Sequence, residues 1–246
     1  MCGRLNVDSA PLTRFVLSII NAALGQADSS QQGSVGSAPS NLTLPSRFNV
    51  APTEQIDVLH HTPTDHWLLQ PMRWWLVPHW ADKPSSRFSM FNARAETLAK
   101  SRAFADAYRS RRCIVPVSGY YEWRTEAGSK QPYYISAAAE EGLALAGLWE
   151  RWQKDDQLID SCTIITTAAP EGMRDLHNRI PVHLDQAGID RWLTPATAQQ
   201  DLAALLAPAM HVPLAVTPVS NHVNNARHKD LSCTQPTGPG WTVPVP

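Results

Sequence analysis

The chain has 246 residues, 43% of them hydrophobic, and a formal net charge of −1 at pH 7. This length allows a substantial core and suggests one domain, and the near-neutral charge excludes a broad basic surface for duplex nucleic acid. The sequence shows no signal peptide, no run of about 18 apolar residues and no C-x-x-C pair among its four cysteines. We expect a cytoplasmic protein outside membranes, with reduced thiols and without a bound metal or cofactor.

The first predicted helix follows a short apolar start. Asp8 or Ser9 can cap it, and Gly25 can end it. The next residues, about 25–45, are rich in Ser, Gln and Gly without an apolar period, so we expect a disordered insertion within the domain. The apolar residues at helical spacing are Leu12, Phe15, Val16, Ile19, Ile20 and Leu24.

Short β-like runs alternate with Pro and Gly breaks from Arg47 onward. They are IDVLHH, HWLLQPMRWWLV, RCIVPVSGYYEW, PYYISA, LALAGLWE and CTIITTAA, and helical patterns cover ETLAKSRAFADAYRS and PATAQQDLAALLAP. Because few of these strands are separated by helices, we predict the α+β class, with a mixed, largely antiparallel, barrel-like β core and flanking helices. Residues 1–230 are expected to form a single domain, and residues 231–246 a loose C-terminal tail.

The stretch FNARAET places three polar side chains at alternate positions. In an extended segment Asn92, Arg94 and Glu96 share one face, while the two small residues between them lie on the other. This pattern indicates a crowded polar site. A helix cap with a solvated charge pair is an equally good interpretation.

The stretch GYYEWR sets Glu122 among aromatic residues at the end of an apolar run. Such surroundings raise the pKa of a carboxyl group unless a cation compensates, and they suit a general acid or base. A glutamate facing water on an edge strand is the alternative.

The stretch LHNRIPVHL combines His177 with Arg179 in a turn-like context. A histidine can titrate near neutrality and an arginine binds anions, and residues two apart in an extended segment face the same way. The spacing raises the weight of a functional pair modestly, and a structural role stays the somewhat favoured interpretation.

Nine tryptophans are many for this length, and RWWLVPHW holds three of them. Most tryptophans pack in cores, but exposed indoles beside arginines can also stack on unpaired bases. The arginines of YRSRRC, Arg109, Arg111 and Arg112, are more typical of a solvated helix end than of a phosphate site.

The order of the motifs is more specific than any one of them. Cys-Gly-Arg follows Met1 directly, and RFNVAPT, RWWLVPHWADKP, FNARAET, CIVPVSGYYEW and HNRIPV come after it. This succession resembles the SRAP family (SOS response-associated peptidase), whose members shield abasic sites in single-stranded DNA. The resemblance covers about residues 2–225. The sequence departs from the family at Trp75, where Gly is typical, and in its polar insertion.

The resemblance implies that Cys2 is the reacting residue once Met1 has been removed. An abasic deoxyribose opens to an aldehyde, the α-amine of Cys2 adds to it to give a Schiff base, and the thiol then closes a thiazolidine. By the same resemblance Glu122 handles protons during imine formation, and His177 assists sugar-ring opening and release of the adduct. Asn92 orients the aldehyde or the amine.

The resemblance also implies a set of DNA-binding residues. Arg4, Arg94 and Arg179 hold flanking phosphates, for which guanidinium groups are well shaped. Pro52 and Trp80 match a region that stacks against bases and wedges the DNA. The implied partner is single-stranded DNA with abasic sites, and the implied state is a monomer.

Two other functions remain open from the sequence. Cys2 could be the N-terminal nucleophile of a peptidase, with removal of Met1 as its minimal reaction. The protein could instead read damaged or modified bases without a covalent bond, which leaves Cys2 without a purpose.

Overall fold

The computed structural model describes residues 2–27, 42–61, 67–85, 88–126, 128–139 and 141–245. Most of the predicted insertion at about 25–45 lies outside these residues, as does the side chain of Leu24. None of the described helices is long and apolar enough to cross a membrane.

The described residues form two β-sheets, one helix of 19 residues and several shorter helices. The strands are β1 (Leu5–Val7), β2 (Arg47–Val50), β3 (Gln55–His61), β4 (Trp67–Trp74), β5 (Asn92–Arg94), β6 (Arg112–Val117), β7 (Gly119–Glu126), β8 (Ser129–Ala137), β9 (Leu143–Lys154), β10 (Gln157–Ala168), β11 (Arg179–Pro181), β12 (His183–Leu184), β13 (Leu214–Pro218) and β14 (Trp241–Val243). The α-helices are α1 (Ser9–Ala27), α2 (Ala105–Ser110), α3 (Glu171–Arg174), α4 (Gln186–Leu193) and α5 (Gln199–Leu205). Three 3-10 helices span Ala95–Lys100, Asn221–Asn224 and Leu231–Thr234.

Five strands close into a barrel. β3 pairs with β4 and β6, β6 pairs with β9, and β9 pairs with β10, all antiparallel. A parallel pairing of β10 with β4 completes the ring. β5, β11 and β12 extend the barrel at its rim, with β5 parallel to β10. The predicted α+β class with a mixed, largely antiparallel barrel is confirmed.

The second sheet is antiparallel throughout, in the order β14-β13-β8-β7-β1-β2. It includes part of the segment that the sequence predicts to be a loose tail. β14 pairs with β13, and the Val243 side chain is buried. The predicted loose tail is therefore wrong for these residues, because the edge of β13 offers backbone partners to a segment whose own composition is polar.

Helix α1 confirms the predicted helix, although it runs two residues past Gly25, to Ala27. Its carboxyl end thus differs from the prediction by the margin typical of helix ends. The backbone N–H of Leu12 bonds to the carbonyl oxygen of Asp8, which places Asp8 at the start of the helix. The buried face comprises Leu12, Phe15, Val16, Ile19 and Ile20, as predicted. Each such side chain contributes about 1.5–3 kcal/mol when fully buried.

The other predicted helices are shorter in the structure. The stretch 96–110 divides into the 3-10 helix Ala95–Lys100 and helix α2, with a turn between them. Helix α4 was not predicted. The sequence feature that could have predicted it is Asp185, a favourable N-cap residue. In the structure Asp185 is the N-cap of α4, and its Oδ1 accepts a 2.7 Å hydrogen bond from the N–H of Gly188.

Two apolar cores lie on the two sides of the barrel sheet. One joins α1, α4 and α5 to the barrel. The other joins the barrel to the second sheet, and it contains Cys2, Leu5 and Tyr120. The N-terminal segment is therefore part of a core rather than a free end.

Gly119 lies at the point where the chain leaves β6 and enters β7. A Cβ atom at this position would lie 2.5 Å from Cζ of Tyr134 and closer still to the carbonyl oxygen of Ile135. Only glycine fits here, because the neighbouring strand backbone cannot move away without breaking the sheet.

Gly119→Ala is expected to lower the free energy of unfolding by about 1–3 kcal/mol, the usual cost of overpacking. Urea denaturation followed by circular dichroism measures this change. The control is Gly238→Ala, whose added Cβ would have its nearest neighbour at 3.5 Å, and it should stay within about 0.5 kcal/mol of wild type. Equal stabilities of the two variants would contradict the expectation.

Candidate active site

The N-terminal strand places Cys2 inside the protein. β1 lies between β7 and β2, and the N–H of Tyr121 donates to the carbonyl oxygen of Arg4 at 3.0 Å. The Cys2 side chain has 0% exposure. The Nδ2 atom of Asn92 donates a 2.7 Å hydrogen bond to the carbonyl oxygen of Cys2. The reactive candidate is thus fixed by both its burial and its backbone.

Asn92 is positioned by strand β5. The parallel register sets Asn92 opposite Ile164 of β10, while Ala93 packs in the core and Arg94 is exposed. The predicted sharing of one face therefore applies to Asn92 and Arg94. Glu96 lies in the following 3-10 helix, so it does not continue the strand.

Glu122 lies on β7 with 3% of its surface exposed, so the water-facing alternative is wrong. Burial raises the pKa of Glu122, and the nearby His177 opposes this rise. The carboxyl group is therefore close enough to Cys2 and to His177 to interact with both electrostatically. A raised pKa suits a group that must donate and accept protons at neutral pH.

The surroundings of the Cys2 thiol also shift its pKa. Burial raises the pKa of Cys2, the nearby Glu122 carboxylate raises it further, and a hydrogen bond to the carbonyl of Arg4 opposes the rise. The Sγ atom lies 3.9 Å from that oxygen. Cys2 is therefore a protonated thiol at neutral pH, and its reaction with an electrophile needs a neighbouring proton acceptor.

His177 follows helix α3, and the backbone of Arg179 fixes its ring. The Nδ1 atom is 3.0 Å from both the N–H nitrogen and the carbonyl oxygen of Arg179. A neutral ring can accept from this N–H, and a protonated ring can donate to this carbonyl. The ring can keep one orientation in both charge states.

The side chain of Arg179 is held within the protein. Its guanidinium group makes two hydrogen bonds to the Glu96 carboxylate, at 3.0 and 2.9 Å, and it also contacts Oγ1 and the carbonyl oxygen of Thr166. The structure therefore brings His177, Arg179 and Glu96 together in one unit. A phosphate would have to share this guanidinium with a carboxylate.

Arg4 is also engaged by protein groups. Its NH1 atom donates to Oδ1 of Asn49 at 2.8 Å and to the carbonyl of Val223 at 3.0 Å. The guanidinium carbon also lies 5.9 Å from the ring centre of Trp123. Arg94, which is exposed, differs from both Arg4 and Arg179.

Asn49 is a residue that the sequence analysis missed. It is fully buried, has a φ of 53°, and its Nδ2 atom contacts the carbonyl oxygens of Val223, Asn225 and His228. It thereby ties the segment after β13 to β2 and orients Arg4. The sequence could have indicated Asn49 through its position in the motif RFNVAPT. Asparagine tolerates a left-handed backbone better than most residues do, so it suits a strained position of this kind.

The two residues predicted to contact bases differ in exposure. Pro52 is half-buried, while Trp80 is 43% exposed. The guanidinium of Arg102 lies 4.2 Å from the Trp80 ring centre, and Nε1 of Trp80 donates to the Arg102 carbonyl. Trp80 therefore presents an indole with a cation beside it, the composition expected of a stacking surface.

Two further sequence features have structural roles. Trp75, the departure from the family pattern, packs against Phe91 with ring centres 5.6 Å apart and donates to the carbonyl of Ser85. Arg112 is buried, and it donates to the carbonyl oxygens of Trp192 and Thr194. It also donates to the carbonyl oxygens of Tyr108 and Arg109, so it joins β6 to the ends of both α2 and α4. Arg109 itself is exposed in the last turn of α2, as predicted for a solvated helix end.

Comparison with known proteins identifies the class of protein that this fold and site define. The family model described as SOS response associated peptidase (SRAP) matches residues 1–226. The chain belongs to the SRAP family.

Similar proteins come from bacteria and animals. Abasic site processing protein YoqW of Bacillus subtilis is 35% identical over 74% of this chain and 82% of its own length. YedK of Escherichia coli is 30% identical over 77% and 84% of the two chains, and HMCES of Gallus gallus is 34% identical over 69% and 57%. Both are also named abasic site processing proteins. A solved structure from Bacteroides thetaiotaomicron matches with a TM-score of 0.68, at 26% identity, over 77% of this chain and 85% of that one.

Glu122→Gln is expected to stabilise the fold at neutral pH. Because the folded pKa of Glu122 is raised, its favourable contribution is present below the unfolded value of about 4.3 and is lost as pH rises through the folded pKa. Glutamine keeps the uncharged form at every pH. We expect a gain on the order of 1 kcal/mol in the free energy of unfolding at pH 7.5 and none near pH 4.

Urea denaturation at the two pH values measures this difference. Glu141→Gln is the matched control, because Arg14 lowers the pKa of Glu141 through a hydrogen bond. Loss of this charged hydrogen bond in Glu141→Gln should lower the stability slightly at pH values above the unfolded pKa of the glutamate. This change is opposite in sign to the one expected for Glu122→Gln. If the Glu122→Gln protein is less stable than wild type at pH 7.5, the raised pKa of Glu122 in the folded state is contradicted.

Proposed function

We propose that the protein processes abasic sites in single-stranded DNA by forming a covalent bond through Cys2. The observation that carries the proposal is the convergence of the buried Cys2 with Asn92, Glu122 and His177, three polar side chains from different segments. The names of the similar proteins support abasic-site processing as the general activity.

Removal of Met1 gives Cys2 the nucleophile that this reaction needs. An α-amino group has a reference pKa of about 7.7–8.0, so a useful fraction is neutral at physiological pH, whereas a lysine near 10.4 needs a large shift. The Asn92 hydrogen bond fixes the Cys2 carbonyl. The new amine shares the same Cα, so its position is restrained as well.

The reaction proceeds in two steps that need no oxidant or reductant. The Cys2 amine attacks the aldehyde carbon of the opened sugar, and loss of one water gives an imine. The thiol sulfur then bonds to the imine carbon, and its proton passes to the nitrogen, which closes a five-membered thiazolidine. Because amine and thiol belong to one residue, the second step is intramolecular, and such steps reach effective molarities of about 10⁵–10⁸ M.

The buried acid and the histidine serve the proton transfers. Glu122 lies near the Cys2 thiol, whose pKa is raised, so it can accept the thiol proton and can donate one to the departing water. His177 assists opening of the sugar ring and, in reverse, release of the adduct. The backbone of Arg179 can hold this ring in either charge state.

The three arginines proposed to contact DNA differ in whether protein groups already bind them. Arg94 is exposed and is the arginine best placed to meet a phosphate directly. Arg179 and Arg4 are fixed by carboxylate, amide and carbonyl groups, so they act as rigid positive groups at the edge of the site. Trp80 and Pro52 supply surfaces for bases.

Two N-terminal variants test the mechanism on single-stranded DNA with one abasic site. Cys2→Ala keeps an amine and loses the thiol, so it should give no stable adduct but a Schiff base that borohydride traps. A chain with one extra glutamine between Met1 and Cys2 keeps the thiol and loses the free amine of Cys2, so it should give no thiazolidine. Intact mass spectrometry measures both the adduct and the loss of Met1 in wild type.

The outcomes also separate the other functions. A stable adduct of Cys2→Ala, equal in yield to that of wild type, would overturn the thiazolidine. DNA binding without any change in mass would favour a non-covalent reader. Cleavage of peptides without DNA would favour a peptidase. Cys113→Ala, which removes a buried barrel cysteine, is the control for loss of a thiol as such.

Arg94→Ala is expected to weaken binding to abasic single-stranded DNA and to reduce its salt dependence. Loss of one phosphate contact on a single strand lowers the slope of log K against log salt by about 0.7. Fluorescence anisotropy at several salt concentrations measures this slope. Cys2→Ala is the background, and a tetrahydrofuran replaces the abasic sugar in the DNA, so that neither a thiazolidine nor a Schiff base forms. Arg191→Ala, an exposed arginine on α4, should leave the slope unchanged. If the background protein and the variants Arg94→Ala and Arg191→Ala have equal slopes, Arg94 does not contact a phosphate.

A further inference from the structure

The segment after β13 brings three potential metal ligands together. His222 lies in the 3-10 helix Asn221–Asn224, and Asp230 and Cys233 lie at the start and within the 3-10 helix Leu231–Thr234. Their ligand atoms all lie within 4.8 Å of one another. Of the described residues, these form a group with three different donor types: an imidazole nitrogen, a carboxylate oxygen and a sulfur.

The carboxylate of Asp230 is oriented for a shared ligand. Its Oδ1 accepts the N–H of Ser232 at 2.9 Å, as the cap of the 3-10 helix, and its Oδ2 lies 3.0 Å from Nε2 of His222. One oxygen therefore fixes the side chain while the other is directed into the cluster.

The His222 ring is oriented by His228. The two rings stack with centres 3.8 Å apart and planes 13° apart, and Nδ1 of His228 lies 2.8 Å from the carbonyl oxygen of His222. Stacking restricts the ring to one plane, and its Nε2 edge points towards Asp230. Interactions of this kind, around a ligand rather than to the metal, hold histidines in position in metal sites.

Cys233 is what distinguishes this group from an ordinary His-Asp ion pair. Its side chain is fully buried, and its Sγ lies 3.5 Å from the carbonyl oxygen of His228. Sulfur, imidazole and carboxylate together are donors that zinc accepts, at about 2.3, 2.0–2.1 and 2.0–2.2 Å. Tetrahedral ligands at these distances lie about 3.3–3.6 Å apart. The ligand atoms lie within 4.8 Å of one another, so the widest pair needs to approach by about 1.2–1.5 Å at most.

We propose that His222, Asp230 and Cys233 form a binding site for a divalent transition metal of the zinc class. The three side chains supply three ligands, and the partial exposure of His222 and Asp230, 33% and 54%, leaves room for a water as the fourth. On binding, the Cys233 thiol gives its proton to solvent and the sulfur bonds to the metal. The site goes beyond the proposed DNA chemistry and does not depend on it.

The location gives the metal a structural effect. The segment it would tie together supplies the carbonyl oxygens of Val223, Asn225 and His228 to Asn49, which in turn holds Arg4. A metal here would stabilise the wall beside the N-terminal strand. The sequence expectation of no metal rested on the lack of a C-x-x-C pair, whereas these ligands are of three different types and lie eight and three residues apart.

Titration with Co²⁺ tests the site on the reduced, metal-free full chain. Cys2→Ala is the background, because an N-terminal aminothiol also binds metals. One Co²⁺ per chain should bind with a thiolate charge-transfer band in the near ultraviolet, Zn²⁺ should displace it, and bound metal should raise the melting temperature.

Each ligand variant should bind Co²⁺ about tenfold more weakly or worse. Asp230→Asn keeps an oxygen to cap the helix and loses the charge, and Cys233→Ala should also lose the charge-transfer band. Cys113→Ala removes a buried thiol in β6 that is not a proposed ligand. This variant should bind Co²⁺ like the background protein. Absence of stoichiometric Co²⁺ binding, or equal binding by Asp230→Asn, would overturn the proposal even if Cys233→Ala failed to fold.

Discussion

The hydrogen bond from Asn92 to the carbonyl of Cys2 holds a chain end inside a core, where chain ends are seldom found. Strand β1 makes this possible, because its pairing with β7 and β2 satisfies the backbone that would otherwise need water. The amine that processing would create shares its Cα with that carbonyl. The N-terminal strand therefore fixes the geometry of the proposed reaction before any DNA arrives.

The burial that fixes the site also has an energetic cost. Burial raises the pKa of both Cys2 and Glu122, and the Glu122 carboxylate raises the pKa of Cys2 further. A carboxylate in such a place weakens the fold at neutral pH, whereas an uncharged side chain would not. Strain of this kind at a site, offset by packing elsewhere, is typical of residues retained for chemistry rather than for stability.

The arginines near the site are not equivalent, although the sequence places all three in similar motifs. Arg179 is engaged by Glu96 and Thr166, Arg4 by Asn49 and Val223, and Arg94 is exposed. Bidentate pairing gives a guanidinium a fixed direction and lowers its availability to a new anion. Arg4 and Arg179 therefore have fixed directions within the protein, and the exposed Arg94 is the arginine that we propose to contact DNA.

Local periodicity in the sequence determined the barrel strands, helix α1 and the alternation of Asn92 with Arg94, because a buried face repeats every two or 3.6 residues whatever lies against it. The unusual cysteine at position 2 and the aromatic setting of Glu122 were likewise visible. Only the tertiary structure decided that β14 pairs with β13, that Arg179 binds Glu96, and that His222, Asp230 and Cys233 meet. These contacts depend on edges and cavities that exist only after distant segments have packed, so no local pattern records them.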